Sequence, residues 1–301
     1  TPVSRRFWTL ADVSSASSSV SAQSAASKTT RQALVALSNR KKASHWGAFF
    51  VACLLALPVY AQSHDDPCVM PAGAEAVQTQ RVTDGDTLRL RDGRRVRLIG
   101  INSPELGRNG KPSEPYAQAA RRALQALAED ATLYLVTGSE ATDRYGRTLG
   151  YLFDEQGRNL EAQLLARGVG YAVAIPPNVA MVACHAAAEQ VARDARQGLW
   201  QEQPVVATSD LRSGGFHLVR GKVGAVNRAG NTLWVDLEGP LTLRFIAADS
   251  EAFGSLPDRS WIGAELELRG WIIDRQNWGG MRPGFRRFML NVRHPLQIRR
   301  L

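Results

Sequence analysis

The chain has no apolar run long enough to cross a bilayer. The longest, Trp46 to Leu57, has 12 residues, against the roughly 20 that a spanning helix needs. Histidine is scarce and scattered: His45, His64, His185, His217 and His294 lie far apart, so no zinc-ligand spacing forms. Cysteine is limited to Cys53, Cys68 and Cys184. Positive charge is also less abundant than the formal net of +9 implies. Residues 1–61 hold seven Lys/Arg and one Asp, so residues 62–301 keep 30 basic and 27 acidic residues, a net of +3. Basic composition therefore carries no argument for nucleic acid across the whole chain. What remains is uneven, with residues 62–213 at −2 and residues 214–301 at +5, so attraction for phosphates is concentrated in the C-terminal third.

Residues 1–44 lack apolar periodicity and contain the run Ser14-Ser15-Ala16-Ser17-Ser18-Ser19. They read as disordered, or as sequence upstream of the working protein. Arg40, Lys41 and Lys42 then precede the apolar run, and Pro58-Val59-Tyr60-Ala61 places small residues at positions −3 and −1. That order is the layout of a secretory signal peptide cleaved after Ala61. A membrane anchor and a lipid anchor at Cys53 are the alternatives. Cys53 sits inside the run with Phe50 three places before it, which opposes the second. The expected mature chain, Gln62 to Leu301, is periplasmic or secreted, has no membrane span and acts as a monomer. Cys68 and Cys184, the pair left after cleavage, either form a disulfide between the N-terminal segment and a later helix or remain two thiols.

The mature length suits two small domains, expected at 62–203 and 216–301 with a linker over 204–215. In the first, Val77 to Val82, Thr87 to Arg91, Arg94 to Ile101, Thr132 to Val136 and Thr148 to Phe153 read as strands, and Asp92-Gly93 as a tight hairpin turn. Helices are expected from Ser113-Glu114-Pro115 to Ala128, from an Asn159 cap to Gly168, and from about Asn178 to Gly198. This α+β pattern suggests a five-stranded barrel of the oligonucleotide-binding (OB) kind with flanking helices. The second segment alternates like strands throughout and shows no convincing helix, so a second, all-β and OB-like module is expected.

Three motifs carry chemistry: Asp84-Gly85-Asp86-Thr87, Arg97 with Asn102-Ser103-Pro104-Glu105, and Asp143-Arg144-Tyr145-Gly146-Arg147. Each lies at the edge of an expected strand. Carboxylates for a divalent cation, a carboxylate near a water, and fixed guanidiniums for a phosphate are the ingredients of metal-dependent phosphodiester hydrolysis. Arginine suits the last role because its planar fork can donate two parallel hydrogen bonds to phosphate. Taken singly, these motifs also read as a turn, a solvent-facing strand arginine and a charged loop.

Together with Gly198-Leu199-Trp200, and in this order, the motifs resemble the staphylococcal nuclease (thermonuclease) family over about residues 76–201. The resemblance implies a Ca²⁺-dependent endonuclease acting on DNA and RNA, breaking the 5′ P–O bond to leave 3′-phosphate ends. It implies Asp86 as a calcium ligand, with the Ser103 carbonyl beside it. Glu105 would activate the attacking water, and Arg97 and Arg147 would hold the phosphate. Asn102 stands where the family carries a second aspartate ligand, so weaker Ca²⁺ binding is expected, with Asp84 compensating through a water; a noncatalytic nucleic-acid binder is the rival reading. Glu114, Asp143, Tyr145 and Tyr116 are expected around the site as supporting or substrate-lining residues. In the C-terminal module Trp234, Trp261, Trp271, Trp278 and Phe285 occur with Arg275, Arg282, Arg286 and Arg287. Aromatics beside a basic groove hold single strands by stacking, and Trp278 with Arg282 is the best exposed candidate. Most such aromatics are otherwise core, and the module could instead dock a protein or the cell envelope.

Overall fold

The computed structural model describes residues 68–107, 110–277 and 284–301. The leader and signal peptide expected over 1–61 lie outside the described residues, as do Trp278 and Arg282.

The first module runs β1 (Glu75–Asp84), β2 (Thr87–Leu90), β3 (Arg95–Leu98), β4 (Ile101–Asn102), α1 (Ala117–Ala128), β5 (Thr132–Thr142), β6 (Thr148–Phe153), α2 (Leu160–Ala166), β7 (Tyr171–Ala172) and α3 (Val182–Asp194). In β2 and β3 the side chains alternate, with Leu88, Leu90, Val96 and Leu98 inside and Arg89, Arg95 and Arg97 outside. That period of two is what a half-buried strand requires. Five strands close into a barrel in the order β1-β2-β3-β6-β5. The β3–β6 pairing is parallel and the others are antiparallel.

Helix α1 buries Ala117, Ala120, Leu124 and Ala128, one stripe at helical spacing, against the barrel. It begins at Ala117 rather than at Ser113 because Tyr116 takes a left-handed backbone, φ 66°. Asn159 caps α2 as expected, accepting the Ala162 N–H at 2.8 Å. Helix α3 begins at Val182, later than the sequence pattern suggests, because Asn178 is part of a turn and bonds across to Glu140. Cys68 and Cys184 are joined, S–S 2.03 Å.

On α3, His185 is fully buried. Its Nε2 contacts the Asn159 amide oxygen at 3.1 Å, while its Nδ1 has no partner. The ring lies against Gly100, φ +84°, where any Cβ would fall 2.0 Å from Nδ1. A proton added to Nδ1 would therefore have no acceptor. Burial lowers the imidazole pKa to about 3, so protonation favours the unfolded chain. The stability His185 contributes should be complete above about pH 6.5 and should fall as pH drops toward 3. Denaturant midpoints across that window check this, and a midpoint in His185→Gln that follows wild type throughout would contradict it.

The second module comprises β8 (Val205–Ala207), β9 (Gly215–Ala229), β10 (Thr232–Leu237), β11 (Leu241–Ile246), β12 (Glu265–Asp274), β13 (Phe288–Asn291) and β14 (Ile298–Arg300). Strands β9, β10, β11, β13 and β12 form a ring, with β12 returning to β9. Its single parallel pairing, β11 with β13, stands where β3–β6 stands in the first barrel. Both modules thus share one barrel connectivity. Where the first inserts α1 before its fourth barrel strand, the second has only short 3₁₀ turns.

The stretch 204–215, expected as a linker, contributes to this module. Strand β8 pairs in parallel with β9, Thr208 donates its hydroxyl to the Glu238 carbonyl at 2.7 Å, and Leu211 enters the second core. Its Ser, Thr and Gly content marks turns equally well in a linker and in a packed loop.

Candidate active site

The local folding of the first motif depends on Gly85. A Cβ there would lie 2.5 Å from the Ala120 Cβ and 2.8 Å from the Ser103 Cβ, so only glycine lets the turn seat against α1. Asp84 and Asp86 are consequently held in buried positions on either side of it. Asp86 accepts the Thr87 hydroxyl at 3.0 Å on Oδ1 and the Ser103 N–H at 2.9 Å on Oδ2. Arg97 Nη2 approaches the same Oδ2 at 3.1 Å. Ser103, itself buried, therefore meets Asp86 through its amide, and β4 is tied to the β1–β2 turn.

Arg97 projects from the outer face of β3. Its Nη1 donates to the carbonyls of Leu98 and Ile101, while its Nε makes no hydrogen bond among the described residues. Arg147 is anchored differently. Its Nε donates to Asp143 Oδ2 at 2.7 Å, and its backbone N–H donates to Oδ1 at 3.0 Å. Burial raises the Asp143 proton affinity, but hydrogen bonds from Arg147 and Tyr145 outweigh it and hold the carboxyl below its usual range. The terminal nitrogens of Arg147 have no acceptor among the described residues. Both arginines line one cleft of about 550 Å³, together with Asp143, Arg144 and Tyr145. Tyr145 is 58% exposed and lies beneath the Arg144 and Arg147 guanidiniums.

Asn102, Glu105, Glu114 and Tyr116 line a neighbouring cleft of about 590 Å³. Glu114 shapes it, accepting the Glu105 N–H at 2.9 Å while its own N–H bonds the Glu105 carbonyl at 3.0 Å. The Glu105 carboxyl is raised above the usual glutamate range, first by burial, then by the negative charge of Asp84 and Asp86; Arg97 pulls the other way. Glu105 is thus within electrostatic reach of Asp84 and Asp86 of the first motif and of Arg97. Among the described residues, no three His, Cys, Asp or Glu side chains form a metal group.

Residues 95–202 match the family model described as staphylococcal nuclease homologue. Over 109 residues the chain is 36% identical to the thermonuclease of Staphylococcus intermedius, covering 35% of this chain and 63% of that protein. It is 26% identical over 158 residues to the thermonuclease of Staphylococcus hyicus, 50% of this chain and 92% of that one. Over 153 residues it is 30% identical to Protein ParB of Escherichia coli, 45% of this chain and 78% of that protein. The chain belongs to the staphylococcal nuclease family.

The nuclease-family barrel does not form these clefts alone. Trp271 of the second module lines both, and Phe216 and Gly215 line the one holding Glu105. On the side of the nuclease-family module, Tyr171 faces the Glu105 cleft, and Glu140 and Asn178 the arginine cleft. Sequence reading misses Tyr171, Glu140 and Asn178, whereas Trp271 is named there among the aromatics of the C-terminal module without being placed at a cleft. The i, i+2 alternation of Glu267, Arg269 and Trp271 on β12 is a pattern shared with any solvent-facing strand.

Proposed function

We propose that the chain is an exported, Ca²⁺-dependent nuclease that hydrolyses phosphodiester bonds of DNA or RNA and leaves 3′-phosphate ends. The observation that supports this most is that Arg97 and Arg147, each held by its own aspartate, line one cleft. Two guanidiniums fixed in this way are suited to a phosphate diester whose oxygens gain charge during attack. Glu105, with its raised proton affinity, is suited to take a proton from a water aimed at phosphorus. The water oxygen bonds to phosphorus as the bond to the 5′ oxygen breaks.

The donor chemistry fits a hard divalent cation. Asp86 offers a carboxylate, Asn102 an amide oxygen and Ser103 a carbonyl, all oxygen donors. The negative charge of Asp84, Asp86 and Glu114 outweighs the positive charge of Arg97 at Glu105, whose carboxyl is raised, and a cation would act in the same direction as Arg97. Held by Asp86, Asn102 and the Ser103 carbonyl, Ca²⁺ would supply Lewis-acid stabilisation of a phosphate oxygen. Export is supported by the Cys68–Cys184 bond, since disulfides persist in oxidising compartments.

The test is cleavage of end-labelled single- and double-stranded DNA and of RNA by the full chain, with Ca²⁺ or with EGTA. Cleavage lost in EGTA and restored by Ca²⁺, with 3′-phosphate termini, is the expected result. Cleavage indifferent to chelation would remove the metal from the reading. Retention of oligonucleotide without cleavage in either condition would instead favour a noncatalytic binder. Asn102, in place of a second carboxylate, supports that second reading.

A further inference from the structure

Three side chains share one face of β12: Glu267, Arg269 and Trp271. The first two are docked against α3. Glu267 receives Arg193 at 2.8 Å and Arg299 at 2.8 Å. Arg269 donates to Glu189 at 2.6 Å and to the Ala172 carbonyl at 3.1 Å. Glu267, Arg269 and Glu189 are all buried, so the position of this strand against the first module is set by well-defined contacts.

Trp271 continues the row about 7 Å further along, two residues of strand. There it passes beyond α3 and reaches the clefts, and 42% of it remains exposed. Its ring is supported from one side. Phe216, its cross-strand partner, meets it at 5.1 Å and 66°. Phe216 in turn stacks on Tyr171 at 5.5 Å, and Tyr171 meets Trp200 edge-on at 5.6 Å. This aromatic chain crosses from one module to the other and ends at a half-open indole. The indole lines both the cleft of Arg97 and Arg147 and the cleft of Glu105.

We propose that Trp271 is a stacking platform for a nucleobase of the substrate strand, so that the second barrel completes the wall of the nuclease cleft. This rests on the nuclease reading above and adds a base-contacting residue from outside the family domain. The chemistry of a single strand matches the surface: a flat apolar base suits the indole, and the adjoining phosphate suits the neighbouring guanidiniums. A core tryptophan would have its surface covered, and a tryptophan serving only to dock the modules would be enclosed as Glu267 and Arg269 are. Because every base has a π face, the contact favours unpaired strands without choosing among bases.

The experiment uses the full chain with a short single-stranded DNA, and with a strand of equal length carrying an abasic cassette, under the ionic conditions of the cleavage assay. Wild type, Trp271→Ala and Trp271→Phe are compared for KM and kcat, and for binding by fluorescence anisotropy. On the base-bearing strand, Trp271→Ala should weaken binding and raise KM by roughly 5- to 150-fold, the range of one base stack. On the abasic strand it should change little, and Trp271→Phe should recover most of the loss. Equal losses on both strands would indicate a distorted cleft and overturn the proposal. Wild-type cleavage with Trp271→Ala unchanged would overturn it while leaving the nuclease reading intact. A wild-type chain that neither binds nor cuts either strand removes both.

Discussion

Arg147→Ala is expected to slow phosphodiester cleavage by about 10²–10³-fold, the usual cost of one preorganised donor to a developing oxyanion. The expectation rests on how the side chain is held. Asp143 takes the Nε hydrogen at 2.7 Å and the backbone N–H at 3.0 Å, which fixes the guanidinium before substrate arrives. The terminal nitrogens are left without acceptors among the described residues. Fixed donors require no reorganisation during the reaction, whereas a flexible arginine would lose conformational freedom on engaging phosphate. Arg147→Lys should recover little, because a point charge on a flexible stem cannot reproduce two parallel bonds. Single-turnover rates at saturating substrate, with thermal midpoints to exclude unfolding, measure this. A rate within a few-fold of wild type would overturn the role assigned to Arg147.

Glu189→Ala is expected to destabilise the protein by about 3–5 kcal/mol, the cost of stranding one partner of a buried ion pair. The Glu189 carboxylate accepts Arg269 of the second module at 2.6 Å and the Ala172 N–H at 2.8 Å. Its loss leaves a buried guanidinium without its counter-charge, held only by the Ala172 carbonyl, and a buried amide unpaired at once. The effect should reach the candidate active site, because Ala172 pairs with Ile101 and Tyr171 with Asn102. The strand that Glu189 steadies, β7, is therefore the partner of β4, which carries Asn102 just ahead of Ser103 and Glu105. Replacing Glu189 and Arg269 together by methionine should restore part of the stability, since it removes the stranded charge while the buried Ala172 N–H and carbonyl still lose their partners. Denaturant unfolding of the three proteins tests this, and a Glu189→Ala loss below about 1 kcal/mol would contradict a buried pair acting as the inter-module clamp.

The first barrel was readable because its signals are local. Alternating Leu88, Leu90, Val96 and Leu98 require a half-buried strand whatever lies beyond them. Asn159 can satisfy an open helix end from its own position. The motif residues Asp86, Arg97, Glu105, Asp143 and Arg147 could be singled out because phosphate chemistry restricts the side chains that can perform it. Element starts were less legible. The bonds of Asn178 to Glu140 depend on a partner distant in sequence, and the left-handed backbone of Tyr116 is rare in a non-glycine residue and carries no signal in the pattern; each delayed the helix that periodicity predicts. The stretch 204–215 shows the same limit, since a buried Leu211 separates a packed loop from a linker, and burial is not a local property.

The sequence by itself determined two β-rich modules, the nuclease-family motifs, and the departure at Asn102. Those follow from periodicity and from the chemistry of individual residue types. Only the tertiary structure decided how the motif residues are shared between two clefts, that Asp86 is engaged by Arg97 and the Ser103 amide, and that Trp271 stands where the clefts meet. The physical reason is that these depend on distances between residues up to about two hundred positions apart. Within the first barrel such distances are set by strand pairing, and for Trp271 by the buried Glu189–Arg269 and Glu267–Arg193 pairs, whose members read in sequence only as ordinary surface charges.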